Sequence, residues 1–272
     1  MVSDIHADIE ALNAILPVID AQNVDKIICL GDMVGYYTNP NECLEIIEQR
    51  EMVCIAGNHD RGAVLLKALN RFGKGARLAM PWTQKHLTPK SKLFLEQLPV
   101  TKIVDDSFMM VHSSLDPHPD TDFYIRSEQD ALPTFNALLQ EPSNIKICFF
   151  GHTHHPLLYE YNNGEIRKIT ETTTFLNPSC YYLINPGSVG QSRDYDDRAS
   201  FAIYDTQVQT ISFFRVAYDR TSCLQKAKKA GILYKKSGLS KQWKNMKMFA
   251  KESYPVFYGF VRNIVRSVVP FE

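Results

Sequence analysis

IKICFFGHTHHP, residues 145–156, runs five apolar side chains into a glycine and then three histidines. A short apolar run rich in aromatic and β-branched residues and stopped by glycine reads as a buried strand. The same plan recurs along the chain: KIICL ends at Gly31 and Asp32, MVCIA at Gly57, Asn58 and His59, and SFMMV at His112. Helical spacing lies between these runs. Ile9, Leu12, Ile15, Leu16 and Ile19 recur at helical intervals after SDIHAD, and Asn-Pro-Asn at 39–41 suits a helix start before ECLEIIEQ. The segment from Arg61 to Pro99 reads as helical cover for one face. Strands alternating with helices predict an α/β layered fold whose functional loops gather beyond the strand ends. GEIRKIT, YYLINPGSVG, SFAIYDT and QTISFFRV follow with little helix between them, which predicts a second sheet. The expected fold is therefore two packed mixed β-sheets flanked by helices, with a basic helical tail at the C-terminus.

The 272 residues are 44% hydrophobic, enough for a substantial core. Lys plus Arg equals Asp plus Glu at 30 each, so no overall field favours nucleic acid. That balance hides an asymmetry: 13 basic and 3 acidic residues lie from Arg215 onward, against 17 and 27 before it. Cys29, Cys54 and Cys148 sit inside apolar runs, where a thiol behaves as a small hydrophobe, and Cys43, Cys180 and Cys223 show no paired spacing. With no apolar leader and no spanning run of about 18 apolar residues, the expected compartment is the cytoplasm.

The polar residues at the strand ends form one set: Asp4, His6, Asp32, Asn58, His59, His112, His152 and His154. Their oxygen and imidazole donors suit borderline divalent metals, and no cysteine is among them. In an extended D-x-H, as in SDIHAD, both side chains fall on one side of the chain, so Asp4 and His6 can grip one ion. GHTH repeats that spacing, and its two histidines could reach two ions lying side by side. Asp32 has two oxygens and could bridge them, while Asn58 offers a neutral carbonyl. Two ions about 3.5–4 Å apart are the arrangement that activates water and holds the attacking and leaving oxygens in phosphoryl transfer.

SDIH, GDMVG, GNHD, the VH at 111–112 and GHTH stand in the order found in the calcineurin-like metallophosphoesterase superfamily, which this sequence resembles. GDMVGYYTNPNE and NPGSVGQSRDYDDRASFAIYD are similar to its bacterial and archaeal branch of small phosphodiesterases. The resemblance implies a catalytic domain over residues 1–240; residues 241–272, outside the resemblance, are expected to form a basic C-terminal extension. It implies that Asp4, His6 and His154 hold one divalent ion, that Asn58, His112 and His152 hold another, and that Asp32 bridges them. Mn²⁺ is the favoured metal, with Fe, Zn²⁺ or Co²⁺ as alternatives. It further implies that metal-activated water attacks phosphorus in line, and that His59 either protonates the departing oxygen or stabilises charge on the phosphoryl group. The implied substrate is a small phosphodiester or nucleotide, with a monoester or a dinucleoside polyphosphate as the alternative. Protein phosphatases of the superfamily carry Asp-Arg after GDxV; Gly35 and Tyr36 occupy those positions here, which argues against a phosphoprotein substrate.

Arg61, directly after GNHD, is a candidate phosphate contact because a guanidinium matches two phosphate oxygens. Arg193 and Arg198 are candidates too, although Asp194, Asp196 and Asp197 could pair with them. Tyr124 and Arg126 could stack on a base and bind a phosphate, or pack within a surface crossover. His155 is expected at the rim, His86 on a solvated helix and His118 in a loop. NPGSVG lacks the Lys-Ser/Thr ending of a phosphate loop and reads as a turn between strands. Only Met1, Val2 and Ser3 precede Asp4, so the first strand is either stunted, holding its metal loosely, or begins upstream of this Met. Near the C-terminus, Phe257, Val261, Ile264, Val265 and Val268 can share a helical face. Such a face could dock on the domain, pair in a homodimer or lie on an anionic membrane. A metal-stabilised binding scaffold is the non-enzymatic alternative.

Overall fold

The computed structural model describes residues 1–65, 72–115 and 122–233. The elements run α1 (Ile9–Asp20), β1 (Ile28–Cys29), α2 (Pro40–Gln49), β2 (Val53–Cys54), α3 (Asn58–Val64), α4 (Lys74–His86), α5 (Pro89–Glu96), β3 (Thr101–Val104), β4 (Phe108–Val111), α6 (Glu128–Leu139) and β5 (Ile147–Phe149). They continue with β6 (Pro156–Asn162), β7 (Glu165–Ile169), β8 (Thr173–Phe175), β9 (Tyr181–Pro186), β10 (Ala199–Asp205), β11 (Thr210–Val216) and α7 (Arg220–Lys229). The amphipathic helices begin where the sequence places caps. Asp8 accepts from the Ala11 amide at the head of α1, and Pro40 fills the first position of α2, where a missing N–H costs nothing.

One sheet has six strands in the order β3-β4-β5-β9-β6-β7, with β4, β5 and β9 parallel at its centre. The second is assembled from pieces. Strands β1 and β2 pair in parallel, Val2 bridges Cys29, and the Met1 and Ala202 backbones exchange both hydrogen bonds. That exchange carries the sheet on to β10, β11 and β8. The segment before Asp4 is therefore the seam between the two halves of this sheet. Burial takes the Met1 amine in this chain down to about 5, so at neutral pH it carries little charge to set against a cation.

The period-two alternation of β4 and β5 sorts their side chains into two cores. Phe108, Met110, Ile147 and Phe149 join Ile28, Leu30, Ile55, Tyr182, Ile184, Ala202 and Ile211 between the sheets. Met109, Val111, Cys148 and Phe150 face the other way, against Phe135 and Leu138 of α6. A third cluster packs α1 and α2 on the outer face of the second sheet through Leu12, Ile15, Cys43 and Leu44. The order of layers is helix, sheet, sheet, helix.

The strand-like segments after residue 155 divide differently from the expectation. Only β8, β10 and β11 belong to the second sheet; β6, β7 and β9 complete the first. The reason lies in YYLINP, which is buried on both faces and takes the central place between β5 and β6. All six cysteines are buried and unpaired. Among the described residues no helix is long and apolar enough to cross a membrane. His118 and the basic tail beyond residue 233 lie outside the described residues.

Candidate metal centre

Asp4, His6, Asp32, Asn58 and His59 follow strands of the second sheet, whereas His112, His152 and His154 follow β4 and β5 of the first. All eight are buried. Seven of them fall into two groups, Asp4 with His6 and His154, and Asp32 with His112 and His152, joined by a third, His6 with Asp32 and His59, each holding ligand atoms within 4.8 Å of one another. Both groups draw on both sheets.

In the first group the proton positions follow from the partners. His6 Nδ1 lies 3.1 Å from the Val34 carbonyl and His154 Nδ1 donates to the Gln191 carbonyl. A carbonyl can only accept, so each Nδ1 carries the hydrogen. Burial, then neighbouring cationic groups, holds both rings well below the usual histidine value, so both are neutral near pH 7. The two Nε2 atoms, 3.1 Å apart, are thus both bare lone pairs. Asp4 Oδ1 lies 3.2 Å from His154 Nε2 and 3.8 Å from His6 Nε2, with no hydrogen-bond donor of its own. Three buried acceptors facing one another without a proton fit a cation and fit little else.

The second group is built on Asp32. Its Oδ1 accepts from the His59 amide at 2.7 Å, while Oδ2 lies 3.2 Å from His112 Nε2 and 3.8 Å from His6 Nε2, so this carboxylate stands between the two groups. His112 Nδ1 donates to the Leu30 carbonyl at 2.8 Å and its Nε2 faces Asp32, while His152 Nε2 lies 3.3 Å from the Asp122 carbonyl, which leaves His152 Nδ1 as an acceptor. Burial opposes charge on His112, but Asp32 outweighs it and raises the ring to about 9. Burial likewise works against Asp32, which the surrounding imidazoles hold well below the carboxylate range. Asn58 Oδ1 is buried without a partner. Oxygen and imidazole donors of this kind, with no thiolate, fit divalent ions of the Mn²⁺, Fe, Zn²⁺ and Co²⁺ type.

The donors converge by a different route from the extended D-x-H geometry. Asp4 (φ 54°), His6 (56°), Asp32 (54°), His152 (64°) and His154 (59°) all adopt left-handed backbone just past their strands. Each such residue costs about 1–2 kcal/mol, so the surroundings must hold it. They do so through backbone: the amides of Asp4, His6 and Ala7 donate to Gly31, Asp32 and Met33 carbonyls, and Gly151 donates to His112. The Asp4 carboxylate is fixed by Ser3 Oγ and the His152 amide, at 2.7 and 3.1 Å. These contacts hold Asp4 in place.

Around the donors, His59 is buried, and burial takes it down to about 4. Its Nδ1 packs on the backbone of Gly35, where a Cβ would stand 2.3 Å away. The Tyr36 ring stacks on His59 at 4.8 Å. Arg193 donates to the His152 carbonyl at 3.4 Å and to the Tyr36 hydroxyl at 3.2 Å. Arg198 turns away to Asp196 in an exposed pair, and Arg61 lies 3.7 Å from Asp122. Tyr124 stacks on His152 at 4.0 Å and Arg126 covers the Tyr124 ring at 4.1 Å, so this ring is already engaged rather than offered to a base. His155 is half-buried on the Thr153 carbonyl, and His86 is exposed and stacked on Trp82.

Several residues that organise the centre carry no donor role and escape a motif reading. Asp60 accepts from the amides of Asp32, Met33, Val34 and Gly57 at 2.7–3.2 Å, tying the GDMV loop to the GNHD loop. Burial and the nearby Asp32 push it up to about 7, against the pull of those amides. Asn185 donates to the Gly151 carbonyl and Thr153 Oγ1, and Ser188 Oγ to the Asp4 carbonyl. The NPGSVG turn is thus a seat for the Asp4 loop: Val189 and Gly190 amides bind Ser3 and Asp4 carbonyls, and a Cβ on Gly190 would meet the Ile5 oxygen at 2.1 Å.

Comparison with known proteins identifies the family of the chain. A family model described as the calcineurin-like phosphoesterase superfamily domain matches residues 1–209. An uncharacterized protein of Methanocaldococcus jannaschii is 35% identical over 231 residues, covering 83% of this chain and 90% of that one. The crystal structure of a metallophosphoesterase from Sphaerobacter thermophilus superposes with a TM-score of 0.69 at 35% identity, over 85% of this chain and 92% of that one. A hypothetical protein from Pyrococcus horikoshii shares the fold, with a TM-score of 0.67 at 17% identity over the same shares of the two chains.

Proposed function

Because the chain belongs to the calcineurin-like phosphoesterase superfamily and is a phosphoric ester hydrolase, we propose that it acts on small phosphodiesters, nucleotides among them, with two divalent ions. The observation that carries this reading is the facing pair of unprotonated Nε2 atoms on His6 and His154 beside the partnerless Asp4 oxygen. Asp4, His6 and His154 would hold one ion; Asn58, His112 and His152 would hold the other, with Asp32 between. Bound ions supply charge neutralisation on the phosphoryl oxygens and acidify water at neutral pH.

The chain's own groups do the rest. Only two of the seven donors, Asp4 and Asp32, are carboxylates, so the loaded centre stays cationic and attracts an anion. Arg193 adds one guanidinium with no carboxylate within 4 Å among the described residues, a match for the single charge of a diester. His59, neutral and packed against the backbone of Gly35, would donate a hydrogen bond to the phosphoryl group or the departing oxygen. Chelated protein given Mn²⁺ should hydrolyse bis-p-nitrophenyl phosphate faster than p-nitrophenyl phosphate. Faster turnover of the monoester would reverse the preference, and metal-independent or absent turnover of both would remove the proposal.

A further inference from the structure

Three acidic residues flank Arg193 in SRDYDDR, and none of them neutralises it. Asp194 pairs with Arg215, Asp196 with Arg198 at 2.7 Å, and Asp197 with Arg220 at 2.6 Å. Arg193 instead meets neutral groups: its Nη1 donates to the His152 carbonyl and its Nη2 to the Tyr36 hydroxyl, while its amide lies 3.4 Å from the His154 carbonyl. The Tyr124 side chain is a further neutral partner. Asp4 acts on Arg193 only from a distance, and a half-buried guanidinium with no carboxylate in direct contact among the described residues leaves room for an anion. Its attachment to the segment carrying His152 and His154 sets that incomplete charge beside the donor groups.

Tyr36 holds the guanidinium from the loop that follows Asp32. Its backbone is left-handed at φ 60°, its ring lies 4.8 Å from His59 and 4.7 Å from His6, and its hydroxyl receives the Arg193 Nη2 hydrogen. The ring is therefore fixed by packing and the hydroxyl by the arginine. We propose that Tyr36 is a positioning residue that aims Arg193 at the phosphoryl oxygens of the substrate, so that the hydroxyl of one residue and the guanidinium of the other act as a single unit. This rests on the phosphoesterase reading above and assigns its anion-binding device.

Tyr36→Phe keeps the ring on His59 and removes the oxygen alone. With bis-p-nitrophenyl phosphate and Mn²⁺-loaded protein, kcat/KM should fall about ten-fold in Tyr36→Phe and about a hundred-fold in Arg193→Met, mostly through KM. The double variant should be no worse than Arg193→Met alone, because the hydroxyl acts only through the arginine. Metal content should match the parent in all three. Inorganic phosphate, titrated calorimetrically into loaded protein, should bind about ten-fold more weakly to Tyr36→Phe, a readout independent of turnover. Parental kcat/KM and phosphate affinity in Tyr36→Phe, or losses that multiply in the double variant, would overturn the assignment. A parent protein that binds phosphate through this pair but turns over no ester would sink the function proposed above and leave the pair standing.

Discussion

The Nε2 atoms of His6 and His154 face each other at 3.1 Å with no hydrogen between them, because the Nδ1 of each ring is committed to a carbonyl. Such a contact between two lone pairs is repulsive unless a positive charge shares it. Adding Mn²⁺ to chelated protein should therefore raise the melting temperature. At a concentration one hundred times the dissociation constant, one bound ion contributes about 2.7 kcal/mol. His154→Ala should abolish that gain for one ion while His112→Ala abolishes it for the other. Calorimetric stoichiometry checks this, and an unchanged stoichiometry in either variant would contradict the assignment.

Gly35 has a steric reason to lack a side chain. A methyl group there meets His59 Nδ1 at 2.3 Å, and φ is +89°. Gly164 in the β6–β7 turn has nearly the same φ, +91°, yet a methyl group at that position would meet nothing within 4 Å. Gly35→Ala and Gly164→Ala should both lose about 1–2 kcal/mol of stability from backbone strain. Only Gly35→Ala should also lose activity, by about a hundred-fold in kcat/KM, because only there is His59 displaced. Urea melts paired with steady-state kinetics separate the two effects.

Asp60 holds two loops with one carboxylate. Asparagine offers one acceptor oxygen and turns an NH₂ group toward amides that already donate, so Asp60→Asn should cost about 2–4 kcal/mol and weaken Mn²⁺ binding. Asp60→Glu should not rescue either property, since the longer side chain moves the oxygens off the four amides. Metal affinity at a temperature where both variants remain folded is the measurement, and a parental value would reduce Asp60 to a stability element.

Far from the centre, Glu160 bonds to Arg167 Nε and to the Tyr182 hydroxyl, each at 2.7 Å. Burial would raise its pKa, but these partners outweigh burial and lower it from 4.5. A carboxyl depressed by folding adds stability above its unfolded value and loses it as the pH falls. Glu160→Gln should thus cost about 1 kcal/mol at pH 7, an amount kept small by the exposure of Arg167. The difference should close as the pH drops below about 4. Chemical denaturation at a series of pH values reads this directly, and a gap independent of pH would point to packing instead.

The candidate donors are legible in the sequence because each stands at the end of an apolar run, where alternation stops and polar chemistry begins. Their approach is not legible. Side-chain alternation in an extended segment suggests how Asp4 and His6 share an ion, yet both residues lie past the strand in left-handed backbone. That conformation depends on carbonyls of Gly31 and Asp32 from a distant segment, which no local pattern announces. Asp60 is visible inside GNHD, but its role is exercised on backbone amides, which have no residue-specific signature. Tyr36 stands out in the sequence as a departure from another pattern, not as the partner of a residue 157 positions away. The sheet assignment fails at β9 for a related reason: a run buried on both faces reveals its centrality only when its neighbours are known.

The placement of the candidate donors on both sheets would make bound cations a fastener for the sandwich. The group of Asp4, His6 and His154 and that of Asp32, His112 and His152 each draw on both halves, so residues 4–32 and residues 112–154 must meet before either closes. Ions captured there would pin the two layers at their common rim, so slow exchange of backbone hydrogens in β1, β4 and β5 should track metal occupancy rather than substrate.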